Sequence, residues 1–221
     1  YGIVGIGVDA AGTIVAPKFD ISSDMYGDRY PAVAYNSVDH QYLVVWEDHG
    51  ADSDIHARRI AANFSVIDAG DITLTAGTGD QTSAAVAYNP VANEYLVAWT
   101  DYRHSGTTGA DIYVQRVGAD GSRLGDNLVV TEAPYDQSSP TLAYISALDR
   151  YLIVWEDGRN PSNGLDLYSQ WLAADGTVLG PFDRPVFRFP GDQRFPALVY
   201  SPLYDNALTV WQDERNGSGA D

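Results

Sequence analysis

The feature that most constrains this chain is a repeat of about 55 residues that occurs four times. Each copy contains a short apolar run that ends in a tryptophan. These residues are spaced by 53, 56 and 56 positions, and they are Trp46, Trp99, Trp155 and Trp211. A second run ends in a tyrosine about eleven residues earlier in every copy: Tyr35, Tyr88, Tyr144 and Tyr200. A repeat of this length indicates a unit that buries its apolar face only by packing against its neighbours.

Every copy holds four short runs that are rich in Val, Ile, Tyr and Trp and bounded by Gly, Pro, Asn or Asp, which is typical of β-strands. The Ala-Asp-Gly sequences at 119–121 and 174–176 predict tight hairpins between the third and fourth runs. No window of 11–18 residues has a helical apolar period. We therefore predict an all-β, four-bladed β-propeller with four antiparallel strands in each blade.

The predicted blades make up a single domain over residues 1–221. Three of them are continuous, over 23–75, 76–131 and 132–185, and the last combines 186–221 with 1–22. The N-terminal strands are in phase with the third and fourth strands of the repeat, so we expect them to complete the last blade. A blade divided in this way also has open edges, which predicts a homo-oligomer or filament formed by exchange of terminal strands as the alternative.

Composition excludes several classes of function. The net charge of −17 argues against nucleic acids and against anionic membranes. Cysteine is absent, which excludes disulfides, thiol catalysis and cysteine-bound zinc. Asn63 and Asn216 begin Asn-x-Ser sequences and are candidate glycosylation sites.

One series of acidic residues stands two positions after each tryptophan: Asp48, Asp101, Asp157 and Asp213. In three copies an arginine follows two residues later: Arg103, Arg159 and Arg215. Aspartate accepts backbone hydrogen bonds in turns, and arginine pairs with carboxylates in a fork, so we interpret these residues as structural. The tryptophans have two interpretations, a core between blades or platforms for stacking sugars, and we favour the core.

A second acidic series precedes the first strand of each repeat: Asp28, Asp80, Asp136 and Asp192. Fourfold repetition is expected to gather four carboxylates on one face. Like charges so placed need neutralisation, so we predict a possible Ca²⁺ or Na⁺ site there, with solvated turn acids as the alternative. The sequence indicates no other cofactor and no catalytic motif.

The pattern WxDxRxGxxDIYxQRxxxDGxxLG is best preserved at 99–125. It resembles the propeller repeats of large secreted or cell-surface proteins of bacteria and archaea. This resemblance implies a secreted or cell-surface location and a non-enzymatic structural or adhesive module. A glycan-binding, lectin-like propeller is the alternative, and a glycoside hydrolase is the third hypothesis, because hydrolysis needs two acidic residues in a cleft and this chain has many.

Overall fold

The described residues of the computed structural model, 2–22, 27–75 and 77–215, form sixteen β-strands and no helix. Their bounds are β1 Val4–Val8, β2 Ile14–Asp20, β3 Arg29–Asn36, β4 Gln41–His49, β5 Ser53–Ala61, β6 Ile72–Thr73, β7 Gln81–Asn89, β8 Glu94–Asp101, β9 Asp111–Gly118, β10 Arg123–Thr131, β11 Gln137–Ile145, β12 Arg150–Asp157, β13 Asp166–Ala173, β14 Val178–Phe187, β15 Gln193–Ser201 and β16 Asn206–Asp213. Nowhere in these residues is there a helix with the length and apolarity that crossing a membrane requires.

The strands form antiparallel sheets in which each strand pairs with the next in the chain. Three sheets have four strands, in the orders β3-β4-β5-β6, β7-β8-β9-β10 and β11-β12-β13-β14. We call these blades B, C and D. Their first strands lie beside one another, β3 against β7 and β7 against β11, and β15 continues the series against β11. The prediction of an all-β, antiparallel protein is confirmed.

The core lies between successive blades. Trp46, Trp99 and Trp155 have no exposed surface, whereas Trp211 is half-buried at the end of the series. One apolar cluster joins blades B and C through residues such as Val45 and Tyr95, and another joins C and D. The tryptophans of the three complete blades therefore pack as core and are not surface platforms for sugars.

The hairpins between third and fourth strands follow the turn chemistry that the sequence predicts. Gly121 has φ of +84°, a left-handed conformation that favours glycine. The side chain of Asp120 accepts hydrogen bonds from N–H and Oγ of Ser122, at 2.9 and 2.6 Å. The turn at 174–177 repeats this arrangement.

The last blade differs from expectation. Strands β1 and β2 form one two-stranded sheet, and β15 and β16 form another, so the described strands do not combine into a fourth four-stranded sheet. Each hairpin packs on the blade that adjoins it in the chain. Ile3 and Ile21 pack with Val44 and Ile60 of blade B, whereas β15 contacts blade D. Contacts with the adjoining blades therefore hold the hairpins at opposite ends of the series.

Candidate functional site

The acid that follows each tryptophan belongs to a local structural unit. The indole Nε1 of Trp99 donates to Oδ2 of Asp101 at 2.8 Å. Arg103 forms a fork with the same carboxylate, from Nε at 2.8 Å and Nη2 at 2.6 Å, and its guanidinium lies 4.3 Å from the ring centre of Tyr113. Blade D repeats the unit with Trp155, Asp157, Arg159 and Tyr168. These buried charges are paired, so the structure gives them a role in holding the loop.

The two outer copies depart from this unit. In blade B glycine replaces the arginine, and the Oδ2 of Asp48 lies 3.3 Å from Nδ1 of His56. In the last copy Arg215 lies 2.9 Å from Asp213, but the arginine is much more exposed than in blades C and D. The candidate glycosylation residue Asn63 is exposed and accepts from Ser65 N–H at 3.0 Å, and Asn216 lies outside the described residues.

Three acids of the second series each bind the loop of the preceding blade. The carboxylates of Asp80, Asp136 and Asp192 each accept a backbone N–H at the start of the preceding blade's third strand. The donors are Ser53, Ala110 and Leu165, at 2.8, 2.9 and 2.9 Å. Each of these three acids therefore joins its linker to the loop of the blade before it. Among the residues that the structure describes, no three acidic or histidine side chains are placed to hold a metal ion.

Asp28 does not share the position of the other three acids. It corresponds in register to the buried glutamines at the start of the first strands, Gln81, Gln137 and Gln193. The register is fixed by a left-handed residue five positions before each repeat tyrosine. These residues are Tyr30, Ser83, Ser139 and Phe195. Asp28 accepts instead from the hydroxyl of Ser22. Gly27 stands where the other repeats have the linker aspartate, so the sequence alignment matched Asp28 one position out of register.

A contact between blades recurs directly after each buried tryptophan. In blade B the Oε1 of Glu47 accepts the backbone N–H of Ser83 in blade C. The equivalent acceptors are Thr100 Oγ1 for Ser139 N–H, at 3.1 Å, and Glu156 Oε1 for Phe195 N–H, at 2.6 Å. The donors are the left-handed residues of the first strands. We call this contact the latch. Sequence comparison of the repeats missed these acceptors because their identity changes from Glu to Thr to Glu.

Glu47 also belongs to a group of ionisable side chains at the junction of blades B and C. Burial raises its pKa above 4.5, the charge of Asp80 raises it further, and the N–H of Ser83 together with Arg29 and His49 lowers it in part. The pKa of Tyr102 is likewise raised, first by burial and then by the charges of Asp136, Asp80 and Glu47. We call Glu47, Asp80, Tyr102 and Asp136 the acid cluster.

Two carboxyl groups of the acid cluster differ in their surroundings. Glu47 is buried and its pKa is raised, whereas Asp80 accepts the backbone N–H of Ser53 at 2.8 Å. Large exposed aromatic side chains stand on the linkers and at the left-handed positions of the first strands. They are Tyr30, Tyr135 and Phe195, with 65, 56 and 63% of their surface exposed. Such rings offer apolar faces to a sugar.

No protein-family model and no curated protein matches this chain. Solved structures share its fold at low identity. An endo-arabinase from Bacteroides thetaiotaomicron VPI-5482 is 13% identical with a TM-score of 0.61, covering 90% of this chain and 76% of its own. The α-L-arabinofuranosidase Arb93A of Fusarium graminearum is 14% identical with a TM-score of 0.63, covering 84% and 60%. An α-L-arabinofuranosidase from Lactobacillus brevis is 12% identical, with a TM-score of 0.58, covering 93% and 74%.

This chain thus spans about three fifths of the Fusarium enzyme and about three quarters of the two bacterial ones. All three are named as enzymes that act on arabinose-containing glycans. The expectations of a non-enzymatic structural or adhesive module and of no enzymatic activity are therefore corrected by these comparisons, and what they establish for this chain is a fold that it shares with propeller glycoside hydrolases.

Proposed function

We propose that this protein is a glycoside hydrolase that acts on arabinose-containing polysaccharides, with Glu47 as proton donor and Asp80 as its carboxylate partner. The observation that carries the proposal is the pairing of a buried carboxyl of raised pKa with a neighbouring acid held by a backbone N–H. The fold shared with arabinases and arabinofuranosidases supports the choice of substrate. Glycosidases use two carboxyl groups that flank the scissile bond, one as proton donor and the other as base or nucleophile.

In the proposed reaction Glu47 gives its proton to the glycosidic oxygen as the bond from that oxygen to the anomeric carbon breaks. Asp80 takes a proton from the attacking water, whose oxygen forms the new bond to the anomeric carbon. Its Oδ1 is held by Ser53 N–H at 2.8 Å, so Oδ2 is the oxygen that receives the proton. Glu47 ends ionised and Asp80 protonated, and exchange with solvent restores both.

The latch accepts either a hydroxyl or a carboxylate. Thr100 makes the contact in blade C, whereas Glu47 and Glu156 make it in blades B and D. The role proposed for Glu47 therefore rests on its burial and on the nearby charge of Asp80, and not on the latch. Tyr102, whose pKa is raised by burial and by the charges of Asp136, Asp80 and Glu47, is the proposed partner of a sugar hydroxyl.

The test measures hydrolysis of arabinan and of an aryl arabinofuranoside by Glu47→Gln and Asp80→Asn. Both variants keep an oxygen acceptor for the N–H groups of Ser83 and Ser53, so the fold is retained. We expect kcat to fall by about 10²–10⁴-fold, the usual contribution of a general acid or base. The matched control is Asp175→Asn, in the turn at the other end of the strands. Equal activity in all three variants, or no hydrolysis by the parent protein, contradicts the proposal.

A second candidate is a lectin-like protein that binds glycans without cleaving them. The exposed rings of Tyr30, Tyr135 and Phe195 favour it. A glycan array combined with an arabinan hydrolysis assay separates the two candidates, because binding without any product supports the lectin. The secreted or cell-surface location that the repeat resemblance implies stays a prediction.

We further propose a four-bladed propeller as the closed form of this fold. Blades B, C and D each supply four strands. The β15–β16 hairpin holds the first two strands of the repeat, and β1–β2 holds the last two, so pairing of β16 with β1 completes a fourth blade. Exposed apolar side chains on both hairpins favour this pairing. They include Val4, Ile6, Val8, Val199, Leu208 and Val210.

A further inference from the structure

A cavity of about 300 Å³ with a mixed polar and apolar lining lies between blades C and D, and no residue of the acid cluster lines it. Blade C contributes Thr131 and Glu132, at the end of β10. Blade D contributes Arg159, Gln170 and Asp183. This volume is at the lower end for small-molecule sites, and it suits one compact ligand.

The side chain of Gln170 is the unusual feature of the cavity. Only 3% of this residue is exposed, yet its Nε2 has no hydrogen-bond partner. A buried amide donor without a partner costs free energy comparable to a lost hydrogen bond. The equivalent residue of blade C, Gln115, is satisfied. Its Nε2 donates to the carbonyls of Arg116, Leu124 and Gly125, and its Oε1 accepts from Asn127 at 2.7 Å.

A change in the fourth strand explains the difference. The bulge of β10 reads Leu-Gly-Asp-Asn over 124–127, whereas that of β14 reads Leu-Gly-Pro-Phe-Asp over 179–183, one residue longer. Asp183 takes the place of Asn127 and has no N–H to donate. It accepts instead from Nη2 of Arg159 at 2.7 Å and from Oγ1 of Thr131 at 2.8 Å. The longer bulge thus removes the partners of Gln170 and opens the cavity.

We propose that this cavity binds one neutral sugar unit, as an accessory subsite for the glycan of the proposed function, on which the choice of ligand rests. Gln170 Nε2 donates to a sugar hydroxyl, and Glu132 at the rim accepts from one. Arg159 is already neutralised by two carboxylates, Asp157 and Asp183. With Glu132 added, the site carries net negative charge, so a neutral polyol is favoured over an anion.

The test is a calorimetric titration of the folded chain with L-arabinose, D-xylose and D-glucuronate. We expect the two neutral pentoses to bind and glucuronate to bind at least tenfold more weakly. Gln170→Leu should lower pentose affinity at least tenfold, while its Tm equals or exceeds that of the parent because an unpartnered buried donor is removed. If Gln170→Leu does not fold, deletion of Pro181 takes its place. This deletion restores the bulge length of blade C and should also abolish pentose binding.

Glu47→Gln is the variant that separates this site from the acid cluster. It should lose hydrolysis and keep pentose binding. Absence of hydrolysis in the parent, with pentose binding that depends on Gln170, overturns the proposed function and leaves the subsite standing. Binding that is unchanged in folded Gln170→Leu, that is lost in Glu47→Gln, or that favours glucuronate overturns the subsite, as does failure of the parent to bind any pentose.

Discussion

The tryptophan of each repeat shows how one side chain can join core and loop. The indole ring of Trp155 packs between blades while its N–H bonds to Asp157, which in turn holds Arg159. Hydrophobic burial and the pairing of a buried carboxylate thus depend on the same residue. This coupling is complete in blades C and D and incomplete where the series ends.

Removal of the indole should therefore destabilise the protein according to its burial. We expect Trp155→Ala to lower the free energy of unfolding by about 3–5 kcal/mol. Trp211→Ala is the matched control, because Trp211 is half-buried and its Nε1 has no partner. Urea denaturation measures both. Equal losses for the two variants contradict this account of the core.

The stability of the protein should depend on pH through the buried carboxyl of Asp111. Burial raises its pKa above 3.8, with the nearby charge of Glu132 adding to the rise and a hydrogen bond from Thr108 opposing it. A carboxyl whose pKa is raised by folding stabilises the fold at pH below its unfolded pKa, and that contribution is lost as pH rises through the folded value. We therefore compare the free energy of unfolding of Asp111→Asn with that of the parent at each pH. The variant should gain more, or lose less, at pH 7 than at pH 3.5. Denaturation of both proteins at the two pH values measures this difference. A variant that compares better with the parent at pH 3.5 than at pH 7 contradicts a raised pKa of Asp111.

At the scale of strands, the latch joins each second strand to the first strand of the next blade. Its donor is a backbone N–H in a left-handed residue, where the ladder between first and second strands shifts register. The shift takes that N–H out of the ladder, so a side chain from the neighbouring blade satisfies it. The latch therefore fixes how successive blades meet.

Removal of one latch should lower the free energy of unfolding, because it leaves a backbone N–H without an acceptor. Thr100→Val keeps the shape of the side chain but leaves Ser139 N–H without its acceptor, and we expect a loss of about 1–3 kcal/mol in the free energy of unfolding. Thr141→Val, in β11, is the control for the substitution itself. Thermal and urea denaturation measure the difference. A cost no greater than that of the control shows that the latch contributes nothing.

Strands and hairpins could be predicted from the sequence because their signals are local. Continuous apolar runs that end in tryptophan mark β8 and β12, and Asp120-Gly121 specifies its turn. The acid cluster could not be predicted from the sequence, because it depends on contacts between blades. Glu47 approaches Asp80 only when blades B and C pack together, and no short motif records that. The alignment of Asp28 with the other linker acids failed for a related reason, since only the strand pairing shows that Gly27 occupies their register position.

At the scale of the molecule, the fold is a series of three complete sheets between two hairpins. The repeat register places Thr209 of β16 opposite Ile6 of β1, as Val97 lies opposite Gln115 in blade C. Both ends of the series expose apolar side chains on strands with an unpaired edge. Pairing of these edges gives the closed form proposed above.

The natural absence of cysteine makes this pairing easy to test. We expect the double variant Ile6→Cys and Thr209→Cys to form a disulfide within one chain under mild oxidation, because β-ladder neighbours bring Cβ atoms close together. Non-reducing electrophoresis separates this product from a cross-linked dimer, which indicates exchange between copies. Ile6→Cys with Leu203→Cys, in the turn before β16, is the control. Thiols that stay reduced in both variants show that the hairpins remain apart.

The linker acids give the chain a direction. Asp80 satisfies an N–H in blade B, Asp136 one in blade C and Asp192 one in blade D, so each sheet is completed by a residue that follows it. A blade that lacks the linker after it therefore has one backbone N–H of its third strand without a side-chain acceptor. The completion of each sheet depends on the segment that follows it in the chain and not on the one before it.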